Sequence, residues 1–120
     1  MPAGHSLGEW GEEAARLFLE VCGYRCLDRR WRRPGGEIDL VVVQDSLLVF
    51  VEVKTRGPRC PVPAEAWVTS GQLARLRRMA RLWIHEHPGG SWRGFRFDVV
   101  AVDYGGPEGG SEIRHLAGVS

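Results

Sequence analysis

The sequence predicts an α/β layer structure built around a mixed sheet. Three observations carry that expectation: two segments with helical periodicity, residues 6–22 and 69–87; two strongly apolar runs, 37–43 and 47–54, separated by Gln44-Asp45-Ser46; and a further β-rich run at 95–102. The order helix, strands, helix, strands shows no internal repeat and no interdomain linker, so one domain over residues 1–120 is expected.

The first helix has Ser6 as its N-cap candidate, Glu9 in the capping-box position and Gly23 as its C-cap candidate. Trp10, Ala14, Leu17 and Val21 form its first apolar stripe, and Glu9, Glu13, Arg16 and Glu20 a polar side. At 100° per residue Glu12 falls outside that polar side, on a second arc with Gly8, Ala15 and Leu19. Two readings of Glu12 follow: a partly buried carboxylate, or an exposed one paired with Arg16 one turn on.

Residues 24–32 form a weaker strand candidate, diluted by arginine and closed by Pro34-Gly35-Gly36. The two apolar runs that follow read as a β-hairpin. Residues 57–63 hold too much Pro and Gly for regular structure. The second helix puts Leu73, Leu76, Ala80 and Trp83 on one face, with Met79 and Ile84 beside it, and Pro88-Gly89-Gly90 stops it. A strand over 95–102, a Gly-rich turn at 105–110 and a short strand at 113–116 complete the reading.

The chemistry lies in the charges that interrupt the hairpin. Alternate residues along a strand share a face, so Glu37 goes with Asp39, and Glu52 with Lys54. An even-numbered connection sets Asp39 opposite Glu52 and gathers both carboxylates and the ammonium into one polar island; a register slipped by one residue disperses them. Two buried carboxylates need a shared proton or a cation. Magnesium suits hard oxygen donors and needs only one or two carboxylates from the protein, with the Val53 carbonyl as a further ligand candidate and manganese as the second candidate ion. Lys54 then either orients and helps deprotonate water or stabilises charge developing at phosphorus. These ingredients suit phosphodiester hydrolysis, and a structural ion-pair network is the alternative reading of the same residues.

The net charge of +1 conceals an uneven distribution, since residues 25–33 carry five arginines against Asp28 alone, and Arg75, Arg77, Arg78 and Arg81 crowd the second helix. Such patches attract polyanions, or simply form a solvated surface. Arg30, Arg32, Arg33, Arg56, Arg75 and Arg78 are the candidate phosphate contacts, nucleic acid is the expected partner, and DNA ranks ahead of RNA. Trp31 and Trp92 are candidates for base stacking or, more simply, for core packing. Three cysteines, odd in number and without a C-x-x-C, support neither a disulfide framework nor a zinc site. No apolar run is long enough for a membrane span and residues 1–7 carry no export signal, so a cytoplasmic location is expected.

Glu12, "GEID" at residues 36–39 and "VFVEVKTR" at residues 49–56, with "RFDVV" at 96–100, resemble the small YraN-like UPF0102 family. That family is similar in turn to the PD-(D/E)XK restriction-endonuclease-like nucleases, and particularly to archaeal Holliday junction resolvases. The resemblance implies an α/β/α core with a central mixed sheet. It also implies Asp39 and Glu52 as metal-binding carboxylates, Lys54 as the catalytic lysine, Glu12 as an additional acid from the first helix, and Gln72 as an auxiliary polar residue. Asp98 is implied in either a chemical or a strand-stabilising role. A homodimer acting on structured or branched DNA is the corresponding expectation, with a non-catalytic nucleic-acid-binding module or a protein-interaction scaffold as the alternatives.

Overall fold

A five-stranded mixed sheet runs through the middle of the chain, with one helix on each of its faces. The computed structural model describes residues 6–58 and 60–119. The reading of residues 1–5 as free of an export signal, and residue 59 within the 57–63 loop, lie outside the described residues. In chain order the elements are α1 (Leu7–Val21), β1 (Arg25–Arg33), β2 (Gly36–Gln44), β3 (Leu47–Arg56), a 3₁₀ turn (Ala64–Trp67), α2 (Ser70–Glu86), β4 (Gly94–Asp103) and β5 (Glu112–Leu116). The strands lie in the order β1-β2-β3-β4-β5. Only β3 and β4 are parallel, joined through α2, and every other pair is antiparallel. The predicted α/β class and mixed sheet are therefore those observed, and the arrangement is compatible with an α/β nuclease-like core. No helix among the described residues is long and apolar enough to cross a membrane.

Alternation along the strands divides the core in two. Toward α2, Trp31, Ile38, Val41, Leu48 and Phe50 pack with Leu76, Met79, Ala80 and Trp83. Toward α1, Leu40, Val42, Val49, Val51, Val100 and Val102 pack with Ala15 and Leu19. Each of the larger buried side chains contributes roughly 1.5–3 kcal/mol by leaving water. Trp31 is buried and Trp92 packs against the α2-side core, so core packing is the reading that the structure supports for both.

The helix ends follow their capping residues. Ser6 Oγ accepts the Glu9 N–H at 3.1 Å, and Gly23 continues the chain past α1 at φ +96°, a region open to glycine. Thr69 and Gln72 make a reciprocal capping box at α2: Thr69 Oγ1 accepts the Gln72 N–H at 3.1 Å and Gln72 Oε1 accepts the Thr69 N–H at 2.8 Å.

The buried face of α1 differs from the stripe expected at Trp10, Ala14, Leu17 and Val21. Gly11, Ala15 and Leu19 are the buried positions, while Leu17 is 50% and Val21 88% exposed. The reason is steric. A Cβ at Gly11 would stand 2.9 Å from Thr55 Cβ, so α1 approaches β3 through its smallest residue and turns its second arc, the one carrying Glu12, to the sheet. Gly11→Ala is expected to lose about 1–3 kcal/mol by forcing the helix off β3, even though alanine favours helix. Urea unfolding of the two proteins measures that loss.

Asp98 is fully buried on β4 and takes the strand-stabilising role. Its carboxylate accepts from Arg96 at 2.7 Å, from the Gly118 N–H at 3.0 Å and pairs with His115 Nε2 at 2.6 Å, tying β5 and the following segment to β4. Burial alone would raise its pKa, but these donors hold it below the usual aspartate value.

Candidate active site at a fork in the sheet

Asp45 and Ser46 both take positive φ, 51° and 64°, forming a two-residue turn of the twisted kind that antiparallel strands favour. The connection is thus even-numbered. Its register pairs Gln44 with Leu47 and continues to Leu40 with Val51. There the ladder between the two strands ends. The preceding part of β2 stays with β1 as far as Gly36, whereas β3 follows β4 to Arg56, and the sheet forks.

Asp39 is the first residue of β2 inside that fork. Ile38 packs toward α2 and Leu40 toward α1, so simple alternation fails across Asp39 and its side chain belongs to neither core. Across the ladder, Arg30 of β1 takes φ +49°, an uncommon value for a residue with a side chain, and it is skipped in the pairing between Arg29–Leu40 and Trp31–Ile38. Glu37 and Asp39 line the same clefts, as expected, although plain alternation is not what brings them together. Asp39 Oδ2 instead accepts the Val53 N–H at 2.8 Å, in the plane of the sheet, where a β2 carbonyl would otherwise sit. Since the N–H and C=O of one strand residue point toward the same neighbour, the Val53 carbonyl faces the fork as well.

Glu52 and Lys54 continue the face of Leu48 and Phe50 on β3. Together with Asp39, Glu37 and Arg56 they line a cleft of about 260 Å³ that also touches the start of α1 at Glu12. A second cleft of about 510 Å³ opens from Asp39 and Glu52 toward α2, where Gln72 and Arg75 line it. Gly36 makes room on that side: a Cβ there would lie 3.0 Å from Arg75 Cδ.

The electrostatics follow from the crowding. Asp39 is only 6% exposed, and burial pushes its carboxyl up to about 8, with the charges of Glu52, Glu12 and Glu37 acting in the same direction and the Val53 N–H opposing them. Burial also raises Glu52, partly offset by Lys54 and Arg75 and reinforced by Glu37. These are two carboxylates that the metal-free protein disfavours in their charged forms. Among the described residues no three His, Cys, Asp or Glu side chains are grouped so as to hold a metal ion.

Glu12 is the half-buried carboxylate of the first of its two readings, but its partner is Arg30, at 2.6 Å, and not Arg16. Arg16 is taken up by Glu13 and Glu20. Other arginines expected at a phosphate surface are likewise engaged within the chain. Arg32 binds Glu37 at 2.7 Å; Arg33 binds Glu86 at 2.7 Å and lies over the Trp31 ring. Gln72 belongs to the α2 capping box, so its place beside the cleft comes with a structural role. Arg78 is exposed on α2. Arg32, Arg33 and Arg75 line the cleft toward α2, and Arg56 lines the smaller one. Glu37 lines both clefts yet receives no site role from the sequence, although "GEID" contains the signal: a second acid two residues from Asp39.

A family model described as "Uncharacterised protein family UPF0102" matches residues 11–102, a span containing α1 from Gly11 onward and every residue of the cleft except those at the very start of α1. A UPF0102 protein of Beutenbergia cavernae is 45% identical over 120 residues, covering 99% of each chain. One of Frankia alni is 45% identical over 119 residues, 98% of this chain and 97% of its own. One of Roseiflexus castenholzii is 42% identical over 110 residues, 92% of this chain and 89% of its own. On a family model of that extent and relatives similar over nearly their whole length, the chain belongs to the UPF0102 family.

Proposed function

We propose that the fork is the active centre of a metal-dependent nuclease that hydrolyses phosphodiester bonds in nucleic acid, with magnesium as the ion and manganese as its substitute. The observation that carries this reading is the meeting of a buried carboxylate, Asp39, and a half-buried one, Glu52, with Lys54 in one open cleft. The donor chemistry fits. A divalent cation offsets the cost that burial imposes on both carboxylates and the repulsion that Glu52 exerts on Asp39, and magnesium needs no third protein carboxylate. Asp39, Glu52 and the Val53 carbonyl would hold it. When bound, such an ion lowers the pKa of water and offsets phosphate charge.

The chain's own groups supply the rest. Lys54 stabilises the charge that develops on the phosphoryl oxygens and helps orient the attacking water. Arg75 and Arg56 position phosphates without reading sequence. Glu12, exchanged out of its pair with Arg30 when substrate phosphate engages that arginine, adds a further acceptor for water. The resemblance to PD-(D/E)XK nucleases supports the same assignment, with 3′-hydroxyl and 5′-phosphate products. The finer reading is structured or branched DNA cut by a homodimer.

The test is cleavage of duplex, flap, single-stranded and four-way DNA and of structured RNA by the purified chain, with magnesium, with manganese and with EDTA. Metal-dependent products that disappear in Glu52→Gln support the reading; no cleavage of any substrate with either metal sinks it. The Arg30–Glu12 pair favours a second reading, since it occupies an acid that catalysis would use. In that reading the chain binds nucleic acid without cutting it, affinity falls steeply with salt, and Lys54→Ala leaves binding intact.

A further inference from the structure

We propose that Trp67 and Arg56 form a stacking platform for an unpaired nucleobase beside the scissile phosphate, so that the substrate carries a single-stranded or splayed-out nucleotide at the cut. The inference rests on the nuclease reading of the fork and specifies its substrate class.

Trp67 closes the 3₁₀ turn between β3 and α2 and is 47% exposed. Trp31 and Trp83, by contrast, are buried, Trp10 packs edge-on to Tyr104, and Trp92 packs onto the α2-side core. The stacking role offered by the sequence to Trp31 or Trp92 therefore falls to a different tryptophan. Its exposure is held in place. Ala64, at the start of the turn, is buried and donates its N–H to Asp103 Oδ1 at 3.3 Å, while Glu65 binds Arg114 of β5 at 2.7 Å. Leu17, Val21 and Phe95 are exposed as well, and what sets Trp67 apart from them is the guanidinium over its ring.

Arg56 connects the ring to the chemistry. Its guanidinium lies 4.2 Å from the Trp67 ring centroid, and the residue lines the same cleft as Asp39, Glu52 and Lys54, two positions beyond Lys54 on β3. Its Nε is buried without a hydrogen-bond partner among the described residues and its Nη1 donates to the Thr55 carbonyl at 3.3 Å, so the indole stack supplements a long hydrogen bond in holding the planar group. On the far side of Trp67 the chain enters α2 at Thr69, whose helix brings Arg75 to the wall shared with Asp39 and Glu52. Trp67 is thus bracketed in sequence by two segments that both reach the cleft. A nucleobase laid on the indole extends the guanidinium–indole stack and sets its own phosphate toward the cations of the cleft. Stacking of this kind contributes about 1–3 kcal/mol per base and is indifferent to base identity. A base within an intact duplex is already stacked on its neighbours and must be extruded first.

The test uses 2-aminopurine in a single strand, in a flap junction and in an intact duplex, each titrated with the full chain in a Lys54→Ala background with Trp67 retained or carrying Trp67→Ala or Trp67→Phe. Expected are quenching of the unpaired 2-aminopurine by the protein that retains Trp67, about tenfold weaker single-strand and flap binding for Trp67→Ala, near-complete rescue by Trp67→Phe, and unchanged duplex affinity. Equal affinities of the Trp67 protein and its Trp67→Ala variant for every substrate, or an equal loss on duplex and single strand, overturns the platform. Cleavage by the same Trp67 variants with Lys54 intact separates the two ideas. Retained cutting with no unpaired-base preference sinks the platform alone, whereas no cutting and no binding by any protein sinks the nuclease reading beneath it.

Discussion

Lys54→Ala is expected to slow metal-dependent cleavage by about a thousandfold, within the 10²–10⁴ range typical of a positioned proton-transfer or charge-stabilising group, while substrate affinity stays within about twofold. The asymmetry follows from where the ammonium sits. Lys54 shares its strand face with Glu52 and lines the cleft at the fork, whereas the cations that could hold neighbouring phosphates, Arg56 and Arg75, stand on the cleft walls. Removing Lys54 deletes a charge that matters most when negative charge builds on the phosphoryl oxygens, so the loss belongs to kcat. Lys54→Arg preserves the charge but replaces a compact ammonium with a planar fork, and should recover only a fraction of the rate. Single-turnover cleavage alongside equilibrium binding in calcium measures both quantities. A Lys54→Ala protein that cuts at the normal rate would remove the lysine from the chemistry, and one that loses rate and affinity together would make it a binding residue.

What the sequence discloses and what it hides have identifiable physical origins. The hairpin was legible because β2 and β3 are runs of Val, Leu and Phe, but its register was not: the sequence leaves Gln44-Asp45-Ser46 between the runs, and the even-numbered connection appears only once β2 extends through Gln44 and the turn narrows to Asp45 and Ser46. The α2 face was legible for a similar reason, as Leu76, Met79, Ala80 and Trp83 are large or well spaced enough to register as an apolar stripe. The α1 face was not, because the contact that decides it is made by Gly11 against Thr55. A reading that weights bulk chooses Leu17 and Val21; close approach chooses the glycine. Nor does any local pattern announce that Arg30 takes a left-handed conformation or that Ile38 and Leu40 serve opposite cores, since both arise from strands parting company at a fork. The ion pairs of Arg30, Arg32 and Arg33 are tertiary in the same sense. A cluster of arginines in sequence displays its charge and conceals its partners. The consequence for the candidate site is specific: strand parity nominates Asp39, Glu52 and Lys54, but parity breaks at Asp39, and its turn toward the Val53 N–H required the fold.

Asp39→Asn is expected to stabilise the metal-free protein at pH 8 by an amount on the order of 2–4 kcal/mol and to leave it almost unchanged at pH 4. The carboxyl is raised in the folded chain, chiefly by burial and then by the nearby Glu52, so between the ordinary aspartate value near 4 and about 8 the folded state binds more protons than the unfolded state. Stability therefore falls as pH rises through that interval, and below it the contribution vanishes because both states are protonated. Asparagine keeps an oxygen that can accept the Val53 N–H, as Asp39 Oδ2 does at 2.8 Å, and removes only the charge. The difference between the two proteins consequently reports the ionisation of this side chain together with its coupling to Glu52, while more distant titrations cancel. Urea midpoints in EDTA at pH 4, 6 and 8 give the predicted widening gap, and a gap that is flat or reversed with pH would mean that Asp39 is charged without penalty in the metal-free fold. Magnesium should act on the same balance from the other side. An ion that binds only the folded chain stabilises it by mass action, so the wild-type midpoint at pH 8 should rise with magnesium and that of Asp39→Asn should barely respond. If magnesium shifts both proteins equally, the ion binds elsewhere, and the fork loses its claim to be a metal centre even though the carboxyl at its heart remains strained.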